Sequence, residues 1–280
     1  MTAHKMAFQD VLTLGNDLEV AGHGDVDSAE RQIGAPFPAG YREFVTTLGD
    51  GQYNGGYVYV LMPQAIVGQY RQLQRTWRQH ADFWEESDLL TPEELGQAVV
   101  LARTVDGDEV VFHPQKPCAV HVLPRHHDEI HHAGEDLEEA LEWVENSGVL
   151  ASRTRVSRLE PDGRFEDWSG ATFRPYTNVA RAEFLCRTAG NLYAALMARM
   201  TRQALADVDG TVLMVFDDDE AEGAEEGPVA LYLTECAGEI RCQPYGEGTI
   251  RVLVSYDSRT RSRRMEEWLE HLGSVSVQAG

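Results

Sequence analysis

The densest set of metal-capable side chains in this 280-residue sequence is the run His126-His127-Asp128-Glu129-Ile130-His131-His132. A helical zinc motif of the His-Glu-x-x-His kind needs its glutamate directly after the first histidine, whereas Glu129 stands two residues after His127. In an extended chain His127, Glu129 and His131 share one face, which sets an adventitious metal site against a solvated, pH-sensitive loop. The run sits at the end of an expected strand, and that context favours the loop. A second set, Asp217 and Asp219, follows the apolar run Val212 to Phe216. Alternate residues at a strand end point the same way, as a Mg²⁺ site for phosphoryl chemistry requires. No glycine-rich phosphate loop and no nearby lysine accompanies it, and seven carboxylates fill the eleven residues from Asp217 to Gly227, the composition of a solvated loop. No GxSxG elbow, Cys-His signature or Walker sequence occurs. These residues predict neither catalysis nor a cofactor.

Charge is the next constraint. The formal net charge is −22, and residues 1–150 hold 9 Lys and Arg against 25 Asp and Glu, a balance of −16. Residues 151–280 hold the remaining 15 against 21, or −6. A field of that sign repels nucleic acid and anionic membrane and speeds capture of a basic partner, or it serves solubility alone. The N-terminus lacks the apolar core of a signal peptide and no run of eighteen apolar residues exists, so a cytoplasmic protein is expected. Cys118, Cys186, Cys236 and Cys242 form no CxxC pair and read as reduced thiols, although Cys236 and Cys242 flank a turn and could approach across a hairpin.

The elements that must position these residues follow from period and punctuation. Phe8 to Val20 has weak helical periodicity, ended by Gly22-His23-Gly24. Asp27 stands three residues before Glu30, a capping-box spacing that predicts a helix from Ser28 to Ile33. A helix opened by Pro38 and closed by Gly49 buries Tyr41, Phe44, Val45 and Leu48. A Gly- and Asn-rich turn leads to a strand at Tyr57 to Leu61, and Ile66, Tyr70, Leu73 and Trp77 predict a long amphipathic helix from Pro63 to about Phe83. Its outer face carries Arg71, Arg75 and Arg78, the one basic patch of this half. Val99 to Thr104, Glu109 to His113 and Ala119 to Leu123 read as strands of an antiparallel sheet, and Asp136 with Glu139 opens a helix over Leu137 to Val144. Asn146-Ser147-Gly148 ends it. The expected domains are therefore 1–150 and 151–280.

The second domain is expected to open with a hairpin, Thr154 to Leu159 and Arg164 to Trp168, around Pro161-Asp162-Gly163. Leu185, Ala189, Leu192, Leu196 and Met200 predict a long helix from about Val179 to Ala206. Strands at Thr211 to Phe216, Val229 to Thr234, Glu239 to Gln243 and Ile250 to Tyr256 and a closing helix at Arg263 to Leu272 complete it. Blocks of strands and helices, rather than strict βαβ alternation, predict α+β with a mostly antiparallel sheet. Arg259, Arg261, Arg263 and Arg264 form a basic knot before the closing helix.

The stretch Ile33 to Leu61, with Asp106 to Phe112 and the helix carrying Leu137, Leu141 and Trp143, resembles the SUKH superfamily of cell-wall-assembly regulators and bacterial immunity proteins. The resemblance covers the first half of the chain only. Glu30, Pro36, Pro38, Tyr41, Phe44, Gly51, Gly55, Asp108 and Trp143 occupy matching places, and of these Glu30 and Asp108 are polar enough to contact a partner. The resemblance implies no catalysis and no cofactor, and a protein toxin domain, often a basic nuclease, as the partner. Asp82, Glu85, Glu86 and Asp88 cluster after the long helix as rim carboxylates around Trp84, which is either an anchor or part of the core. The same resemblance admits a regulatory or scaffold protein, and Asp217 with Asp219 leaves an enzyme in the second half as a further alternative. Oligomeric state stays open, with a monomer favoured.

Overall fold

The computed structural model describes Phe8 and residues 11–13, 18–84 and 89–150, then residues 154–159, 165–167, 170–175, 179–187, 211–216, 229–233, 238–244, 249–257, 266 and 269–270. In the first half the elements are β1 (Leu12–Thr13), α1 (His23–Ile33), α2 (Tyr41–Thr47), β2 (Gly51–Tyr53), β3 (Val58–Val60), α3 (Pro63–His80), a 3-10 turn (Ala81–Trp84), α4 (Pro92–Leu95), β4 (Val99–Thr104), β5 (Glu109–His113), β6 (Lys116–Leu123), β7 (His131–Gly134) and α5 (Leu137–Asn146). The second half adds β8 (Thr154–Leu159), β9 (Phe165–Asp167), β10 (Thr172–Pro175), β11 (Val179–Arg187), β12 (Thr211–Phe216), β13 (Val229–Leu233), β14 (Gly238–Pro244) and β15 (Thr249–Asp257). Helices and mostly antiparallel sheet make the chain α+β. Among the described residues no helix is long and apolar enough to cross a membrane. The chain divides into two compact units, residues 1–11 with 18–151 and residues 12–17 with 152–280.

In the first unit β2 to β7 pair antiparallel in sequence order. Both faces of this meander are covered, which is why β4 and β5 are almost continuously apolar and buried. Val100, Val111 and Leu123 join Trp77, Leu90, Leu95, Ala98 and Ile130 in a core cluster on the face toward α3 and α4. Phe112, one residue from Val111, points the other way to Phe37, with ring centroids 6.1 Å apart. Beside it Phe37 lies 4.2 Å from Tyr41, whose hydroxyl donates to the Leu61 carbonyl at 2.7 Å. Phe44 continues the layer to Tyr53 and Phe8 at 5.6 and 5.1 Å.

Several local expectations are corrected. Within the stretch Phe8 to Val20 the described residues are not helical: Leu12 and Thr13 are extended, and the Leu12 N–H donates to Ala171 O at 2.9 Å. Helix α1 starts at His23 rather than Ser28, because the Asp25 carboxylate accepts the Gly22 N–H at 2.9 Å and caps the earlier turn. Pro38 stands outside α2, its carbonyl accepting the Tyr41 N–H, and Gly40 at φ 80° makes the entry turn. The turn Asn54-Gly55-Gly56 joins two strands instead of feeding one, and β7 is an additional strand.

The second unit holds a seven-stranded antiparallel sheet in the order β11-β15-β14-β13-β12-β8-β9 and the short parallel pair β1 with β10. Val179 to Arg187 is a strand, not the start of a helix. Its nine residues register against β15 from Asp257 to Thr249, and Arg251 holds the Glu183 carboxylate through two hydrogen bonds of 2.8 and 3.1 Å. Cross-strand pairing along all nine residues outweighs the helical spacing that begins at Leu185. The remainder of that expected helix, the hairpin turn at Pro161 and most of the closing helix lie outside the described residues. Cys242 stands opposite Val229 and Val252, so no cysteine is its cross-strand neighbour in either pairing.

Gly49 ends α2 with φ 81°, and a Cβ there would run into the Glu19 carbonyl, whose oxygen accepts the Asp50 N–H. Gly34 ends α1 with φ 84° and has nothing within 4 Å of its Cβ position. Gly49→Ala is therefore expected to lower unfolding free energy by at least about 2 kcal/mol, against about 1 kcal/mol for Gly34→Ala, where left-handed strain acts alone. Denaturant titration of both variants checks the ordering.

Candidate functional site

The polar residues expected to meet a partner are placed differently from one another. Glu30 sits at the end of α1 with its carboxylate divided between the Phe37 N–H and the Arg42 guanidinium, each at 3.0 Å. Arg42 also holds Asp27 at 2.7 Å. Asp108 is 4% exposed. It accepts the Thr104 hydroxyl at 2.6 Å and the Arg125 N–H at 2.9 Å, so its carboxylate is consumed in closing the β4–β5 hairpin. Trp84 is half-buried, packs against the cluster under α3 and α4, and has an indole N–H without a partner. Its ring meets Phe83 edge-on at 5.0 Å, and Phe83 is the exposed aromatic of the pair. Asp82 lies in the 3-10 turn. Glu85, Glu86, Asp88, Asp217 and Asp219 lie outside the described residues.

The histidine run is divided. His126 and His127 are exposed in the loop before β7. His131 stacks on Trp143 of α5 at 5.2 Å, while His132 pairs in register with His121 of β6, their rings 5.5 Å apart. Among the described residues no three His, Cys, Asp or Glu side chains gather as a metal ion would need. A different histidine set emerges, from strands read only as core. His113 and His121 are 2% and 4% exposed, with His113 Nε2 and His121 Nδ1 buried without hydrogen-bond partners. Nearby, the Lys116 ammonium donates to Glu94 at 2.6 Å; this bond and the Thr91 N–H hold the Glu94 carboxyl down at about 2. Burial, reinforced by His132 and Lys116 and opposed by Glu94, pushes His121 down to about 4, and burial likewise lowers His113.

Helix α5 carries carboxylates with a structural task and carboxylates without one. Asp136 caps this helix by accepting the Glu139 N–H at 2.9 Å, and Glu139 accepts the Glu135 N–H at 2.8 Å. Glu138 and Glu142 are exposed, and no ion pair holds either among the described residues. Burial, with a smaller contribution from the charges of Glu145, Glu138 and Glu142, raises the phenol of Tyr53. Neither these glutamates nor Tyr53 stand out in the sequence as site residues, although four glutamates in a ten-residue helix with no Lys or Arg is the available signal.

No family model matches the chain, and no curated protein matches it.

The histidine cluster generates a pH dependence with a definite sign. A histidine whose folded pKa is depressed is neutral in the native state, so its contribution is intact above about 6.5 and is lost as pH falls from 6.5 toward 4. Stability is expected to fall across that window by up to about 3 kcal/mol, since each tenfold difference in proton affinity between folded and unfolded chain is worth roughly 1.4 kcal/mol. Burial raises Glu109 and Asp50, which act in the opposite direction as pH falls. Comparison with His121→Gln therefore isolates the effect: denaturant melts from pH 7 to 4.5 should show a shallower loss in the variant.

Proposed function

We propose that the protein is a binding protein of the immunity type, in which the first unit captures a basic protein, most fittingly a toxin domain such as a nuclease, and blocks it by covering its active surface. The observation that carries this reading is the surplus of carboxylate in that unit. Residues 1–150 hold 25 Asp and Glu, and the ion pairs described there engage Asp27, Glu30, Glu94 and Glu109. A surface so weighted opposes its own compaction by self-repulsion and is matched to a partner whose phosphate-binding face is basic. The SUKH resemblance supports the same reading, since the matched residues are core aromatics, turn formers and the structural carboxylates Glu30 and Asp108. The proposal assigns no catalysis and no cofactor to the chain, and places it in the cytoplasm.

The test is association kinetics with a basic toxin domain encoded beside this protein's gene, followed by surface plasmon resonance at rising salt. Raising ionic strength from 0.1 to 1 M shortens the Debye length from about 10 to about 3 Å, so the association rate should fall at least about tenfold. Dissociation should change less, because it depends on buried anchors. An association rate indifferent to salt would remove the role given to the acids, and a toxin left fully active by saturating protein would remove the immunity reading.

A further inference from the structure

We propose that His121 and His132 form a two-histidine chelate for a first-row transition-metal ion of the Zn²⁺ or Ni²⁺ class, a structural clamp across β6 and β7. The clamp is separate from the partner surface and does not rest on it.

His121 of β6 and His132 of β7 stand directly opposite each other in an antiparallel pair. Residues so placed project from one face of the sheet with Cβ atoms about 5 Å apart, within reach of a shared ligand. Their ring centroids are 5.5 Å apart. Two imidazole nitrogens each about 2.0–2.1 Å from one ion set the ring centroids roughly 4.5–5.5 Å apart, for angles at the metal from about 90 to about 120°. The two rings already stand at the open end of that range.

His121 supplies a second, independent observation. It is 4% exposed, and its Nδ1 is buried with no hydrogen-bond partner among the described residues. A buried imidazole nitrogen without a partner costs stability, and a bound ion or water is an ordinary way of meeting it. His132 is exposed, so an ion can arrive from solvent. A site ligated wholly by protein is absent, because no three His, Cys, Asp or Glu side chains gather among the described residues. Water therefore fills the remaining positions. Imidazole ligands suit Zn²⁺, Ni²⁺ and Cu²⁺, whereas Mg²⁺ and Ca²⁺ take oxygen. Lys116, whose charge bears on His121, is itself paired with the Glu94 carboxylate at 2.6 Å, so it does not bar a cation. His131 takes no part, since its ring stacks on Trp143 of α5. Strand β7 is the last of its sheet, and an ion held by both histidines ties this edge to β6. Such an ion binds the folded chain and not the unfolded one, and so stabilises the fold.

The experiment uses the full chain, stripped of metal with a chelator and titrated calorimetrically with Zn²⁺, Ni²⁺ and Mg²⁺, with denaturant midpoints measured in each ion. Zn²⁺ and Ni²⁺ should each fill a tightest site of one ion per chain and raise the midpoint, and Mg²⁺ should do neither. His132→Gln is compared with His121→Gln and with His126→Gln combined with His127→Gln, which removes two imidazoles from the exposed loop. His132→Gln should weaken Ni²⁺ binding about tenfold or more and abolish the midpoint shift, while the loop pair should change affinity less than about twofold. Electron paramagnetic resonance of the Cu²⁺-loaded chain should show two coupled imidazole nitrogens in the wild type and one in His132→Gln. Circular dichroism identifies any variant that fails to fold, and the exposed His132 keeps the test decisive if His121→Gln is one. A loss in the loop pair as large as that in His132→Gln overturns the clamp and leaves an adventitious ion on the loop. A folded His121→Gln that binds as the wild type does, a nitrogen count other than two, or a wild type that binds neither Zn²⁺ nor Ni²⁺ at millimolar concentration overturns it as well.

Discussion

One carboxylate sets the arrangement on which the first unit depends. Glu30 closes α1 through its backbone oxygen, which accepts the Gly34 and Ala35 N–H groups at 2.8 and 3.2 Å. Its side chain then reaches past the turn to the Phe37 N–H and to Arg42 on α2. Three segments distant in path are thereby held to one residue, and Phe37 is delivered onto Tyr41 and Phe112. The ion pair is half-exposed, so its Coulombic worth is modest, within about 1 kcal/mol. Its importance is geometric. Without the acceptor the Phe37 N–H loses its partner, and the linker from Ala35 to Gly40 loses the contact that fixes the aromatic layer.

The acids of this unit therefore fall into two groups that composition merges. One group works at chain ends and turns: Asp25 on Gly22, Glu94 with Thr91 in a reciprocal box, Asp136 and Glu139 at α5, and Asp108 in the β4–β5 hairpin. These meet unpaired N–H groups, mostly at helix N-termini where a negative charge is favoured. The other group meets none among the described residues, and includes Glu138 and Glu142 on α5, Glu43, Glu93, and Asp128 and Glu129 in the loop before β7. A net charge of −16 for residues 1–150 states the sum, and only the placement of each carboxylate says which part of it is available to a partner.

How much is legible along the chain follows the same division. Strands β4, β5 and β12 can be read to the residue because short apolar runs rich in valine and bounded by turn residues have no competing interpretation. The Asp136 cap is equally plain, since its partner is three residues away. What escapes the sequence depends on distant partners. Asp27 and Glu30 have capping-box spacing but face Arg42, and Val179 to Arg187 becomes a strand only because β15 lies alongside. The site is less legible than the fold. Asp108 has the character of a contact residue until both its oxygens are seen to be occupied, by the Thr104 hydroxyl and the Arg125 N–H.

The histidine run shows why density along a sequence is a poor guide to convergence in space. In β7 successive side chains point to opposite faces, so neighbours in sequence acquire different surroundings. His131 goes under Trp143 on the α5 side, and His132 turns to His121 on the side of Val111, α3 and α4. The pleat separates His131 from His132, and His127 and Glu129, which an extended chain would have set on the face of His131, lie instead in the exposed loop before β7. It also places the buried, acid-sensitive imidazole of His121 and the support of the α5 carboxylates on the same two strands, since α5 rests on β6 and β7. Helix α5 and the His121 imidazole thus share the strands β6 and β7, and are linked through backbone rather than through side-chain contact.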